Sequence, residues 1–429
     1  MNMLFQNALI PGLGRKDVRV NGKKITEIAE PLSLTVKRGE RKIDCDHRLM
    51  VPGLYNLHTH AAMNLFRSYG EDLPLDRWLN EKILPAEDKL TSSAVYTGTS
   101  IAFAEMIRTG TVSCSDMYFF SEDVVRAALD TGIKMNIGRS LVSFDENADF
   151  SKDPRFLESR RVYEKYNGAG EGQVLVEMCL HAEYSNVEAG VREVAAMAKE
   201  YGAPIMLHLS ETEKEQNEGI ARRGMTPLAF FDKCGILDSR VSAAHCVWVS
   251  DEDIALMAKK GVTAVHNPCS NLKLGSGVMP YGKLRAAGVN VALGTDGSAS
   301  NNTLDMFKEM YTASILHKGV TRRPTDYTAS EFLKMATENG AKAQGREGCG
   351  KIAVGYDADI VLLDTDAENV MPVYDPCAAA VYAAKGENVK MTVVAGRVLY
   401  ENGEYKTIDI EKLKADMRNE CENICQKIC

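Results

Sequence analysis

The sequence predicts an α/β protein: a (β/α)8 TIM-like barrel with a small β-sandwich domain built from both chain ends. Three observations carry this. Between residues 53 and 297, short apolar runs alternate with helical stretches, and eight such runs fit in an interval of barrel size, which is roughly 250 residues. No G-x-G-x-x-G follows an early strand, so the rival open, doubly wound sheet lacks its usual mark. The flanking segments alternate at period two with turn residues between them, which reads as strands.

Taken in order, MLFQNALI, VRVNGKKITEIAE, SLTVKRG and RKIDCD are expected as strands within residues 1–51. The barrel strands follow as GLYNLHTH (53–60), TVSCSDMY (111–118), GIKMNIGRS (132–140) and VLVEMCLH (174–181). The remaining four are APIMLHLS (203–210), RVSAAHC (240–246), VTAVH (262–266) and VNVALGTD (289–296). Amphipathic stretches such as 92–110 and 250–261 lie between them. The second opens on Ser250 and Asp253 at capping-box spacing and closes on Gly261. A helix over 328–344, with Thr328 and Glu331 at the same spacing, precedes three more strand segments: DADIVLLDTD, AAAVYAAKG and VKMTVVAGRVLYENGEY. A helix is expected from Asp409 to Cys429. The domains therefore read as 1–51 and 345–429 for the sandwich with its terminal helix, and 52–344 for the barrel.

Composition narrows the function. Lys and Arg number 51 against 59 Asp and Glu, a net charge of −8, which argues against nucleic acid and anionic membranes as partners. No apolar run approaches the ~18 residues of a membrane span. MNMLFQNALIPGLG lacks the basic and apolar regions of a signal peptide. Eleven cysteines form no disulfide framework. A cytoplasmic protein is expected, with homo-oligomerisation left open. Cys421, Cys425 and Cys429 recur every four residues and read as a packing stripe on a helix.

Of eight histidines, six stand at or near the C-terminal ends of predicted barrel strands: His58, His60, His181, His208, His245 and His266. Barrel enzymes build their active sites at that end. His58 and His60, at i and i+2, share a strand face ~6.6 Å apart along it, so one metal can reach both. His208 ends a strand half a barrel away, and Asp296 ends the strand that meets the first on closure. Imidazoles plus one carboxylate suit a catalytic Zn²⁺ or Fe²⁺. The fourth strand ends without a lysine that could bridge a second ion, so one metal per chain is expected. Glu211, three residues past His208, is placed to shuttle protons. His245 either orients the attacking water or is a further ligand.

The segments PGLYNLHTHAAMNLFRSYGEDLPLDRWLNEKILPAEDKLT, HLSETEKE, AAHCVWVS, HNPCSNLKLGSG and LGTDGSASNNTLDMFKEM resemble the amidohydrolase superfamily. LPLDRWL, PAE and HNPCSNLKLGSG narrow that to a resemblance to the 5′-methylthioadenosine/S-adenosylhomocysteine deaminases. GKIAVGYDADIVLLD and VVAGRVLYENGEY extend it into the terminal sandwich. The resemblance implies that His58, His60, His208 and Asp296 hold one divalent metal, zinc ahead of iron. It further implies that Glu211 is the general acid/base, with His245 and Asp296 in the catalytic group. Glu87 would accept the ribose hydroxyls of a small nucleoside substrate, and Arg139, His181 and Arg155 would contact that substrate, as would Glu211 and Asp296. The expected activity is hydrolytic deamination of an adenosine. The alternative is a guanine- or triazine-type aminohydrolase with the same metal site.

Overall fold

The computed structural model describes residues 2–428. The strands of the N-terminal flank are β1 (Met3–Ile10), β2 (Gly14–Asn21), β3 (Lys24–Ala29), β4 (Arg41–Asp44) and β5 (Arg48–Pro52). The barrel comprises β6 (Leu54–Thr59), β7 (Thr111–Tyr118), β8 (Lys134–Arg139), β9 (Val174–Leu180), β10 (Ile205–Leu209), β11 (Val241–His245), β12 (Thr263–His266) and β13 (Asn290–Leu293). After it come β14 (Ile360–Asp364), β15 (Val389–Val394), β16 (Arg397–Glu401) and β17 (Glu404–Tyr405).

Strands β6 to β13 pair in chain order, all parallel, in an eight-stranded sheet. The sheet curls until its ends meet beyond β13. There Thr295 N donates to Asn56 Oδ1 at 2.9 Å, and Asp296 N donates to the His58 carbonyl at 2.9 Å. Gly294 permits this seam, because a Cβ there would lie 2.8 Å from His58 N. The closure carries Asp296 to the side of His58. Every expected barrel strand is present, and the capping box closes as expected. Ser250 N donates to Asp253 Oδ2 (2.9 Å), Asp253 N donates to Ser250 Oγ (3.1 Å), and Gly261 ends the helix at φ +71°.

The chain ends join in a second, mixed sheet ordered β17-β16-β15-β14-β5-β1-β2-β3, with β4 beside β1. The junction is β14 antiparallel to β5, with Leu362 opposite Met50. Met3, Phe5, Val18, Ile25, Met50, Ile360 and Val393 form this unit's own core. Four expectations change here. SLTVKRG is a loop, because its backbone serves a buried carboxylate: Asp17 accepts from Asn7 N and Leu32 N on Oδ1 and from Leu34 N on Oδ2. AAAVYAAKG is helical over residues 378–383, entered through Pro376 and capped by Asp375 on Cys377 N and Ala378 N. The helix over 328–344 is two, Ala329–Met335 and Glu338–Ala343, broken at Thr337. Its cap is not made, since Glu331 turns instead to Tyr281 and Arg285. The sequence reading also passed over β5 as a sandwich strand. The terminal helix spans Ile410–Ile428; Cys429 of the proposed cysteine stripe lies outside the described residues.

Beneath the barrel, at the N-terminal ends of its strands, Lys134 Nζ donates to Asp357 Oδ2 and Asp359 Oδ2, each at 2.8 Å, and Tyr55 Oη donates to Asp359 Oδ2 at 2.8 Å. Burial opposes the Lys134 charge, but the two carboxylates outweigh it and raise its pKa. Lys134→Met would leave the buried Asp359 without its counter-charge, and should cost about 3–5 kcal/mol. The check is a urea unfolding curve, and an unchanged midpoint would remove this contact from the fold's supports.

Candidate active site at the C-terminal mouth of the barrel

His58 lies in β6, His60 one residue beyond that strand, and His208 in β10. His60 Nδ1 stands 2.7 Å from the Met117 carbonyl, and His208 Nδ1 stands 2.7 Å from the His181 carbonyl. A carbonyl only accepts, so both Nδ1 atoms carry the proton and both Nε2 atoms present a lone pair. Those two Nε2 atoms are 3.3 Å apart, and when both rings are neutral no hydrogen lies between them. Asp296 Oδ1 lies 3.5 Å from His58 Nε2 and 3.4 Å from His60 Nε2. Neither ring nitrogen of the fully buried His58 has a protein partner. Burial also holds His58 down to about 4 and His208 well below its ordinary range, so both rings are neutral. Orphaned lone pairs converging on one carboxylate fit a divalent cation.

The surrounding residues lock these donors. Asp296 adopts φ +61°, a strained conformation for a residue with a side chain. Its Oδ2 accepts from Ser270 Oγ (2.6 Å) and Ser300 Oγ (2.8 Å), which leaves Oδ1 toward the imidazoles. Burial opposes the Asp296 charge, but the neighbouring histidines outweigh it and hold its pKa well below the usual carboxylate range. Asp116 Oδ1 accepts from Thr59 Oγ1 and Ala61 N, both at 2.7 Å, gripping the chain on either side of His60.

Glu211 lies just past β10, with Ser276 Oγ donating to its Oε1 at 2.9 Å and His245 Nε2 3.8 Å from its Oε2. Burial raises its pKa, so it holds a proton more readily than an exposed glutamate. His245 ends β11 at φ +73°, and its Nδ1 faces Asn271 Oδ1 at 2.8 Å. Burial alone would lower the His245 pKa, but the Glu211 and Asp296 carboxylates raise it. Behind Glu211, the Glu215 carboxylate accepts from Ser210 N (2.8 Å) and Glu211 N (2.9 Å).

These groups open into a cavity of about 600 Å³ lined by His60, His181, His208, Glu211, His245 and Asp296, with Glu87, Arg139 and Arg155 on its walls. Glu87 accepts from Tyr118 Oη at 2.7 Å, and burial pushes its pKa up to about 7. His181 Nδ1 pairs with Ser185 Oγ at 2.9 Å. Arg139 Nε donates to Glu158 Oε2 at 2.7 Å, and Arg155 Nη2 donates to Asp153 Oδ2 at 2.6 Å. Trp78, Leu79, Phe119 and Phe144 supply apolar wall. His58 lies directly beneath, fully buried. His266 stands apart from this group: its Nε2 is 3.0 Å from His317 Nε2, on the helix Met306–Thr321. Sequence reasoning missed Asp116, Glu215, Asn271 and Ser276. The last two lie inside HNPCSNLKLGSG, and Glu215 stands one helical turn beyond Glu211 in HLSETEKE.

Fold and site together define a barrel enzyme with a divalent-metal centre at its C-terminal mouth. The family model described as "Amidohydrolase family" matches residues 49–399, and the chain belongs to that family. It is 43% identical over 382 residues to a 5-methylthioadenosine/S-adenosylhomocysteine deaminase of Acetivibrio thermocellus, covering 89% of this chain and 88% of the relative. It is 40% identical to a 5'-deoxyadenosine deaminase of Methanothermobacter thermautotrophicus, covering 93% and 92% respectively. A crystal structure of an adenosine deaminase from Xanthomonas campestris with bound zinc superposes at a TM-score of 0.94, with 32% identity and 99% of each chain covered. No helix among the described residues is long and apolar enough to cross a membrane.

Asp116→Ala removes the acceptor shared by Thr59 and Ala61, and should weaken divalent-metal affinity about 10–100-fold through disorder of His60. Competition against a chromophoric chelator measures this. Wild-type affinity in the variant would show that His60 needs no such support.

Proposed function

We propose that this chain hydrolyses the exocyclic amine of an adenosine carrying a 5′ substituent, such as S-adenosylhomocysteine, 5′-methylthioadenosine or a related compound, releasing ammonia and leaving the inosyl product. The observation that carries this reading is two carboxylates with separate surroundings in one cavity. Glu211 lies at the metal-type site, and Glu87 stands on the wall with its Tyr118 partner. The names of the Acetivibrio and Methanothermobacter relatives support the same substrate class.

His58, His60, His208 and Asp296 would hold the metal, one per chain and zinc ahead of iron. When bound, it supplies Lewis acidity that brings the pKa of a coordinated water toward ~7. Glu211, outside that ligand set, takes a proton from the attacking water and passes it to the ring nitrogen beside the amine-bearing carbon. It then takes the remaining proton from the newly attached hydroxyl and delivers it to the amine; the C–N bond breaks, the carbonyl forms and ammonia leaves. Ser276 holds Glu211 toward the reacting atoms. His245, its Nδ1 occupied by Asn271, presents Nε2 to the attacking oxygen, and Asp296 orients that oxygen from the other side. Glu87 accepts the two ribose hydroxyls, a task for which a carboxylate has the acceptor capacity. His181, Arg139 and Arg155 face the remainder of the nucleoside, with the guanidinium groups toward the 5′ substituent.

Glu211→Gln should retain about one divalent metal per chain while kcat falls ~10²–10⁴-fold, since a proton shuttle is lost and no ligand is. Metal analysis beside turnover tests this. Loss of the metal, two ions per fully active chain, or near-normal turnover would each overturn the assignment.

Ammonia release from adenosine, 5′-deoxyadenosine, methylthioadenosine and S-adenosylhomocysteine, with adenine and guanine as controls, tests the activity itself. Glu87→Ala should cut kcat/KM for every nucleoside, at ~1.5–3 kcal/mol for each charged hydrogen bond lost. Arg139→Met should hurt S-adenosylhomocysteine most, because only that substrate carries a 5′ carboxylate for the guanidinium fork. Nucleoside turnover unchanged in Glu87→Ala, with guanine as the better substrate, would favour a nucleobase or triazine aminohydrolase.

A further inference from the structure

We propose that Glu215 is a positioning residue for Glu211, fixing the proton-transfer carboxylate by holding its backbone from behind. The starting point is the turn that follows β10. Ser210 adopts φ +47°, so the chain leaves the strand in a left-handed conformation that a side chain disfavours. Ser210 and Glu211 are both buried, at 0% and 8% exposure, so their N–H groups need partners inside the protein. The adjacent strand does not supply them. The Ser210 carbonyl accepts from Val247 N and Trp248 N, while its N–H faces the other way.

Glu215 meets both donors, Oε1 taking Ser210 N at 2.8 Å and Oε2 taking Glu211 N at 2.9 Å. It is the third residue of the helix Glu213–Arg223, whose cap Thr212 accepts from Glu215 N at 3.1 Å. A glutamate at that position ordinarily reaches back to the N–H of its own cap residue. Here it bypasses Thr212 and reaches the two residues before it. The helix N-terminus favours a negative charge there. A second tie secures the same turn, with Ser210 Oγ donating to Gln216 Oε1 at 2.7 Å and Gln216 Nε2 donating to Asp253 Oδ2 at 3.2 Å.

The chemistry of the contact demands a carboxylate. Two converging N–H donors require two acceptor atoms on one planar group, whereas an amide would set its NH₂ against one of them. Glu215 is buried and lines no part of the cavity, so it touches no reacting atom and its hydrogen bonds act on the Ser210–Glu211 backbone. Displacements of ~1 Å at a reacting group are enough to cost about 10²-fold in rate.

The kinetic part of the test rests on the deaminase reading; the exchange part does not. With the metal-loaded enzyme and its best adenosine substrate, Glu215→Gln should lower kcat ~10–10³-fold, leaving KM within about threefold and metal content unchanged. In the Glu211→Gln background the same change should cost nothing further, because the group it positions is gone. Glu215→Asp keeps the charge but is too short for both donors, and should fall between; it replaces the Gln variant in every comparison if that variant does not fold. Hydrogen exchange, which needs no substrate, should show the amides of 210 and 211 protected in the wild type and exchanging at least ~10²-fold faster in the variant, with β10 unchanged. An equal loss of kcat in both backgrounds, a raised KM with normal kcat, or unaltered exchange at 210 and 211 would each overturn the proposal. If no adenosine is turned over, the deaminase reading falls and exchange alone decides whether Glu215 holds the turn.

Discussion

The organising constraint is a set of lone pairs with no hydrogen between them. His60 and His208 each give their Nδ1 proton to a backbone carbonyl, so their Nε2 atoms confront one another at 3.3 Å. His58, fully buried, has no protein partner for either nitrogen. Such an arrangement is costly for a protein on its own, since buried polar atoms go unsatisfied. It becomes reasonable only around a cation. Barrel closure follows from the same demand: the seam at Gly294 brings Asp296, from the last strand, beside the imidazoles of the first. The order of strands, their parallel sense and the single seam bring His58, His60, His208 and Asp296, from three parts of the chain, to one place.

Strain gathers where that delivery is finest. Ser210, His245, Cys246 and Asp296 all take positive φ although none is glycine, and all lie at or just past the ends of barrel strands. Three of them are held by side chains outside the reacting group: Glu215 and Gln216 for the 210 turn, Asn271 for His245, Ser270 and Ser300 for Asp296. The chain thus separates tasks. Polar side chains from the connecting helices fix geometry, and the strand-end residues are left free for chemistry.

The barrel was legible because a short continuous apolar run followed by a helix, repeated eight times, is a local signal that tertiary context reinforces. The gathering of His58, His60, His208 and His245 at the mouth was legible because histidine is a rare residue and here recurs at strand ends. His266 shows the limit of that reasoning. It shares the pattern, yet its ring pairs with His317, and no spacing rule distinguishes a residue that faces the mouth from one that faces the helix layer. The supporting residues were invisible for a related reason. Asp116 and Glu215 act through backbone N–H groups of residues far along the chain or behind it, and an acidic residue in a strand or at a helix start looks ordinary. SLTVKRG failed similarly, since its alternation was real but the buried Asp17 carboxylate claimed its backbone.

Environment, more than residue type, assigns the carboxylates their parts. Asp296 sits among imidazoles and stays ionised, whereas Glu87 has one phenol for company and is pushed up to about 7. The same logic extends to the far wall. Arg139, on the cavity wall, spends Nε on Glu158 and one Nη1 hydrogen on the Ser140 carbonyl, which orients the guanidinium. Arg155 spends Nε and Nη2 together on Asp153, so its side-on face is consumed. Two cations and two carboxylates therefore nearly cancel at this end of the cavity, and what remains is directional hydrogen bonding and not bulk positive charge. On the proposed reading, a wall of that kind would accept a neutral 5′ group against Phe119 and Phe144, and would recognise an anionic one chiefly through Arg139.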